Sequence, residues 1–300
     1  MAADGCVSLI ERRMMSPMRV WVLTWLAMIA FAGNSLLCRL ALKHTSIDAA
    51  SFTSLRIISG AIALGFIVQM RGGPHSGAGS WPAALALFAY AAGFSFAYIS
   101  LPAATGALLL FGAVQATMIS YGLWAGERLQ RLQVAGMIMA FTGLVGLVLP
   151  GLTAPPPQSA VLMLGAGVAW GVYSLRGNGT GDPTRVTAGN FMRAIPLALG
   201  LSMAMLPWAS LDRSGVWYAI VSGAMASGVG YAIWYTALRG MKATSAATVQ
   251  LSVPVLAAGG GMVFLGEPVT LRLLLTSIAI LGGIALVMLP RQRTRNKAGV

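Results

Sequence analysis

The sequence predicts an all-α polytopic membrane protein, ten transmembrane helices arranged as two inverted five-helix repeats with both termini cytoplasmic. Three observations carry this reading. Residues are 57% apolar and only 9% charged, where a soluble domain carries about 25% charge. The chain also repeats itself: Gly126-Glu127 and Leu149-Pro150 recur 140 positions later as Gly266-Glu267 and Leu289-Pro290, and Arg39 and Arg56 recur at a spacing of 137 as Arg176 and Arg193. Finally, the basic residues are unevenly divided between the two sides of the apolar stretches.

About 20 apolar residues cross a hydrocarbon core of about 30 Å. The stretches long enough lie at 20–41, 50–70, 81–100, 103–124 and 131–149 in the first half. In the second half they lie at 159–176, 187–207, 215–237, 242–264 and 270–289. Only Leu101 and Pro102 separate the third from the fourth, which forces a tight hairpin. The chain thus divides into an N-terminal tail (1–19), a first repeat (20–150), a second repeat (151–290) and a basic C-terminal tail (291–300). The 37 glycines and 14 prolines suit membrane helices, whose neighbours satisfy freed backbone groups.

Of the 20 lysines and arginines, Arg39, Lys43, Arg213 and Arg272 fall on one side, Arg56 and Arg193 fall inside spans, and the rest share the side of the termini. The short-loop charge bias places that richer side in the cytoplasm. Five spans per half is an odd number, so the second repeat enters from the opposite side, the arrangement of many carriers with two similarly built conformations. The net charge of +13 follows from this punctuation. It makes no basic face with interleaved aromatics, and no nucleic-acid partner is expected. The first residues contain Asp4 and Glu11 and lack a cleavable export signal, so a retained tail is expected.

Enzyme chemistry finds no support. His44 and His75 stand alone, Cys6 and Cys38 form no redox or metal pattern, and no phosphate-binding loop occurs. No cofactor and no metal are expected.

On the residues Arg56, Leu265-Gly266-Glu267, Ala125-Gly126-Glu127, Gly143, Gly146, Gly282 and Gly283, the chain resembles the drug/metabolite transporter superfamily, in particular its EamA-type members. The resemblance spans residues 20–290 and is nearest to the YddG-type aromatic amino acid exporters. It implies a ten-helix carrier of the bacterial inner membrane that exports aromatic amino acids and related organic compounds by alternating access. Broad organic-compound export with proton or sodium coupling, and a non-transporting sensor or scaffold, are the competing readings. Expected partners are a small-molecule substrate and the lipid bilayer, with function as a monomer and a dimer as the alternative.

Candidate substrate contacts follow from spacing. Tyr90, Phe94 and Tyr98 recur every four residues, so one face of the third helix presents three rings. Tyr231, Trp234 and Tyr235 in the eighth span and Trp170 and Tyr173 in the sixth would close a ring-lined cavity. Packing or interfacial anchoring is the alternative, above all for Tyr98 and Tyr235. Asn34, Gln115, Ser245, Thr248 and Gln250 offer polar contacts to a zwitterionic head group, or bonds between helices. Arg56 and Arg193 are expected in structural or gating bonds to helix-end carbonyls. Gly167 and Gly171 allow close helix contact, whereas Pro196, Pro254 and the Gly259–Gly261 run are expected to bend or unwind helices. No acidic residue or histidine occupies the middle of a span, which favours gradient-driven movement over proton exchange.

Overall fold

A computed structural model describes residues 16–72, 78–126, 130–151, 154–176, 182–238, 241 and 249–288. Helices dominate the described residues, with no strand among them. They are α1 (Pro17–His44), α2 (Ala49–Met70), α3 (Trp81–Tyr98), α4 (Ala103–Trp124), α5 (Arg131–Val148), α6 (Pro157–Arg176) and α7 (Pro183–Ala204). A short 3-10 turn (Leu206–Trp208) leads to α8 (Arg213–Leu238), α9 (Ser252–Leu265) and α10 (Leu271–Val287). By length and composition seven of these can cross a membrane (α1 to α6 and α8), and α9 and α10 are shorter apolar helices.

Short polar segments start the apolar runs by capping them. The hydroxyls of Ser16, Ser80 and Thr270 and the carboxylates of Asp48, Asp182 and Asp212 accept from first-turn N–H groups, satisfying donors that a helix leaves orphaned. Gln130 and Gln133 form a reciprocal capping box on α5. At the end of α9, Gly266 adopts a left-handed φ of 62°, which only glycine takes without strain. Both the Gly266 and the Glu267 N–H then return to the Gly261 carbonyl. The second Gly-Glu pair, Gly266-Glu267, is therefore a helix stop followed by an aimed carboxylate.

Two pairs of repeat mates lie side by side and run antiparallel. In α5 and α10, Gly136 faces Gly283, Gly143 faces Ala279 and Ile280, and Gly146 faces Thr276. A Cβ on Gly136 would sit 2.6 Å from the Gly283 carbonyl oxygen, so the two backbones touch because neither residue has a side chain. Arg272 closes one end of this pair on the carbonyls of Gly146 and Leu149, and the Gln133 amide closes the other on Val287. Likewise α2 packs antiparallel on α7: Ser54 meets Ala198 and Ser202, Gly60 meets Phe191, and Arg71 reaches Thr184. The remaining contacts between halves also come in mated sets: α3 and α4 pack on α6 as α8 and α9 pack on α1.

Two mechanical expectations are corrected. Gly259, Gly260 and Gly261 do not unwind α9; all three are helical, with Gly260 under the Leu36 side chain and Gly261 beside Glu267. Pro254 does not kink a continuous helix: Leu251 is a turn, and Pro254 lies in the first turn of α9, where a missing N–H costs nothing. The irregularity lies instead in α8, where Ser222–Val229 form a π-helix. Gly223 of that stretch rests on the Arg56 carbonyl and Ser59 of α2. Pro196 is inside α7.

Candidate functional site

Rings from four helices converge between the halves. Trp170 of α6 is the hub, its centroid 4.8 Å from Tyr90, 5.1 Å from Tyr231 and 5.4 Å from Tyr173. Phe31 of α1 meets Tyr231 at 5.8 Å and Trp234 at 5.9 Å. Along α3 the four-residue spacing stacks Tyr90 on Phe94 at 5.4 Å and Phe94 on Tyr98 at 4.7 Å. Most pairs are tilted or edge-on, the geometries favoured by ring quadrupoles.

A cavity of about 20 Å³ lies among Phe31, Asn34, Tyr90, Phe94, Trp170 and Tyr231. That is room for about one water, against about 300–1,000 Å³ for a ligand site. The rings thus fill one another's space. Larger cavities lie elsewhere. One of about 370 Å³ is bordered by Arg39, Lys43, Thr105 and Glu267, and one of about 500 Å³ by Gly65, Trp81, Arg193 and Pro196.

A polar thread runs through the apolar cluster. The Ser222 hydroxyl, first residue of the π-helix, donates to Asn34 Oδ1 at 2.6 Å, and Asn34 Nδ2 donates to the Tyr90 hydroxyl at 3.3 Å. A second thread joins Ser80 N to Asn190 Oδ1 at 2.9 Å and Asn190 Nδ2 to the Tyr173 hydroxyl at 3.5 Å. Buried polar groups need such partners, and π-helical turns recur at functional sites.

The cluster therefore unites Asn34, Tyr90, Phe94, Trp170, Tyr173, Tyr231 and Trp234. Tyr98 is fully buried, and its hydroxyl donates to the Ala103 carbonyl at 3.2 Å, bracing the α3–α4 hairpin away from the cavity wall. It is neither a cavity residue nor an interfacial anchor. Tyr235 is half-buried and does not line the cavity, nor do Gln115, which is buried, and Gln250, which is half-buried. Ser245 and Thr248 lie outside the described residues. Gly167 and Gly171 bring α6 against α4, where added Cβ atoms would meet Ala113 at 2.6 Å and Thr117 at 2.8 Å.

The arginines diverge. Arg193 donates from Nη1 to the carbonyls of Ala78 at 2.6 Å and Gly189 at 3.0 Å. Arg56 is 2% exposed and its Nη1 has no hydrogen-bond partner; its guanidinium carbon lies 4.9 Å from the Phe94 centroid and 5.4 Å from that of Tyr90.

From the sequence Arg39 counts only among the flanking charges, and its pairing with Glu267 is not visible there. The two form a buried ion pair, Nε to Oε1 at 3.0 Å. Arg39 Nη1 also donates to the Tyr98 and Ile99 carbonyls, both at 2.9 Å, and Glu267 Oε2 accepts from Ala103 N at 2.7 Å. This latch ties α1 to the α3–α4 hairpin and the α9–α10 loop. Its signal was present in the recurrence of Arg39 and Gly266-Glu267, but pairing across 228 residues is invisible to spacing. Phe31, Phe191, Asn190 and Ser222 were also missed; Phe31 lies one turn from Asn34, so helical periodicity offered it.

Comparison with known proteins agrees with this architecture. Residues 158–289 match the model of the EamA-like transporter family. The uncharacterized protein PA1977 of Pseudomonas aeruginosa is 55% identical over 91% of this chain and 96% of its own. The uncharacterized transporter YvbV of Bacillus subtilis is 25% identical over 64% of this chain and 63% of its own. The threonine/homoserine exporter RhtA of Escherichia coli K12 is 31% identical, but over only 45% of this chain and 47% of its own. A solved crystal structure with 18% identity superposes with a TM-score of 0.63, covering 89% of this chain and 96% of the other, a likeness of fold. The second half of the chain, residues 158–289, is thus similar to the EamA-like transporter family, in keeping with the all-helical architecture and the apolar membrane-length helices.

Proposed function

We propose that the protein exports amino acids across the bacterial inner membrane, with aromatic side chains preferred, by alternating access down the cargo's gradient. The observation that carries the proposal is the ring cluster itself: Phe31 and Tyr90 from one half meet Tyr231 and Trp170 from the other. Movement of one half against the other would part these rings, and an aromatic side chain would replace the lost ring contacts by burial and stacking. Asn34, with the Tyr90 hydroxyl and Ser222 beside it, offers polar contacts for the head group.

Ten spans, cytoplasmic termini and repeats at 20–150 and 151–290 form the frame for this cycle, supported by the antiparallel mates α5/α10 and α2/α7 and by the charge bias. In that topology the Arg39–Glu267 latch closes the periplasmic side. With the central cavity filled, the structure fits an occluded state. A second reading, export of small hydroxylated amino acids, draws on the name of the RhtA relatives and on the Asn34–Ser222 thread.

Counterflow in reconstituted vesicles separates the readings. Labelled tryptophan and phenylalanine are expected to exchange faster than threonine or homoserine. Equal rates for all four would sink the aromatic preference, faster threonine would favour the second reading, and no exchange above protein-free vesicles would sink transport of amino acids altogether.

A further inference from the structure

Among the described residues, Arg56 is a buried cation with no anion. Among the described residues the ion pairs are Arg39 with Glu267 and Arg185 with Asp182, and both Glu267 oxygens are already engaged, by Arg39 and by Ala103 N. An arginine within an apolar helix bundle is costly unless paired and hydrogen-bonded. The faces of Tyr90 and Phe94 offset part of that cost through cation–π attraction, but Nη1 stays without an acceptor.

The repeat mate sharpens the contrast. Arg193 occupies the corresponding place 137 residues later and saturates its Nη1 on two backbone carbonyls. A purely structural arginine is satisfied by the protein in this way, and the Nη1 of Arg56 is not. The rings it stacks on, Tyr90 and Phe94, also form walls of the central cavity.

Building on the amino-acid export reading, we infer that Arg56 receives the carboxylate of the cargo. The guanidinium fork suits a planar carboxylate. Asn34 and Ser35 on the α1 wall of the same cavity offer acceptor oxygens for the ammonium group. The site would then take α-amino acids as zwitterions, with Arg56 reading the head group and Trp170 and Tyr231 reading the side chain.

The test pairs each acid with its α-carboxamide: tryptophan with tryptophanamide, threonine with threoninamide, both labelled and followed in reconstituted vesicles at low concentration. Wild-type protein is expected to move the acid about 10- to 100-fold faster than the amide, the range for a hydrogen-bonded charge. Arg56→Gln should bring the acid-to-amide ratio near one, a ratio that a folding loss scaling both fluxes leaves unmoved, while Arg56→Lys keeps much of the preference. Equilibrium dialysis of purified Arg56→Gln against labelled tryptophan and threonine gives a readout if its flux is too low to measure, and binding as tight as wild type would overturn the assignment. Equal wild-type fluxes of acid and amide, or an unchanged ratio in Arg56→Gln, overturn the carboxylate role but leave amino-acid export standing. If wild type moves none of the acids, both proposals fall. If threonine moves and tryptophan does not, the aromatic preference falls and the threonine pair decides the role of Arg56.

Discussion

Glu267→Gln should open the side of the protein that the latch closes. In the structure both members of the pair are nearly excluded from solvent, with side chains 9% and 7% exposed. Breaking a buried pair by removing one charge costs about 3–5 kcal/mol. Glutamine can still accept from Ala103 N, and Arg39 keeps the Tyr98 and Ile99 carbonyls, which argues for the lower end. At about 3 kcal/mol the ratio of closed to open forms falls roughly a hundredfold.

Cys38 provides a native reporter. It neighbours Arg39 on α1 and is 0% exposed. With Cys6 replaced by serine, a membrane-impermeant maleimide should label Cys38 slowly in wild type and about 10- to 100-fold faster in Glu267→Gln. Arg39→Gln should act in the same direction, and the double variant should fall short of the sum of the two singles, as expected for residues in contact. Labelling of Glu267→Gln within twofold of wild type, in protein that remains folded, would refute the latch. Additive effects would refute the pairing.

Gly283→Ala drives a Cβ into Ala140 N at 2.5 Å and the Gly136 carbonyl, a backbone contact that cannot yield; it should cost about 1–3 kcal/mol and lower the midpoint of thermal unfolding. Gly259→Ala meets nothing within 4 Å and should be neutral or stabilising by up to about 1 kcal/mol in the same measurement. Tyr98→Phe loses the bond to the Ala103 carbonyl and should cost about 1 kcal/mol, while leaving the relative counterflow of tryptophan and threonine unchanged because its ring is not on the cavity wall. Burial opposes ionisation of Asp48, but bonds from Ser51, Ser210 and Ala50 outweigh it and hold its pKa below the ordinary value. Its stabilisation is therefore complete above the unfolded pKa of about 4 and lost as pH falls through the lower folded value. Asp48→Asn should remove that acid-dependent loss of stability, seen as a flatter dependence of the unfolding midpoint below about pH 4.

The helices were legible because their signals are local. An apolar run of membrane length, bounded by a capping residue such as Asp48, Asp182 or Thr270, specifies a helix without reference to the rest of the chain. The periodicity of Tyr90, Phe94 and Tyr98 likewise placed three rings on one face. It did not separate Tyr98, which turns to the α3–α4 hairpin, from Tyr90, which reaches Trp170. That distinction depends on what packs opposite, and α6 is brought to α3 by the close approach of Gly93 to Leu162 and Ala166 only in three dimensions. The same limit hid the latch: Arg39 and Glu267 look like two loop charges until the α9–α10 turn, set by the left-handed Gly266, aims one at the other. The π-helix at Ser222–Val229 had no proline to announce it. Its glycine Gly223 lies against the backbone of α2, a close approach that the composition of α8 alone does not reveal.

The central claim is that the rings choose the cargo, and the ratio of tryptophan to threonine counterflow tests it most directly. Trp170 makes three of the contacts that define the cluster. Wild type should favour tryptophan by tenfold or more, about 1.4 kcal/mol of discrimination and within what burying an aromatic side chain supplies. Trp170→Ala should bring the ratio within about threefold of one, chiefly by weakening tryptophan binding. A wild-type ratio near one, or a strong tryptophan preference that survives in Trp170→Ala, would contradict the account.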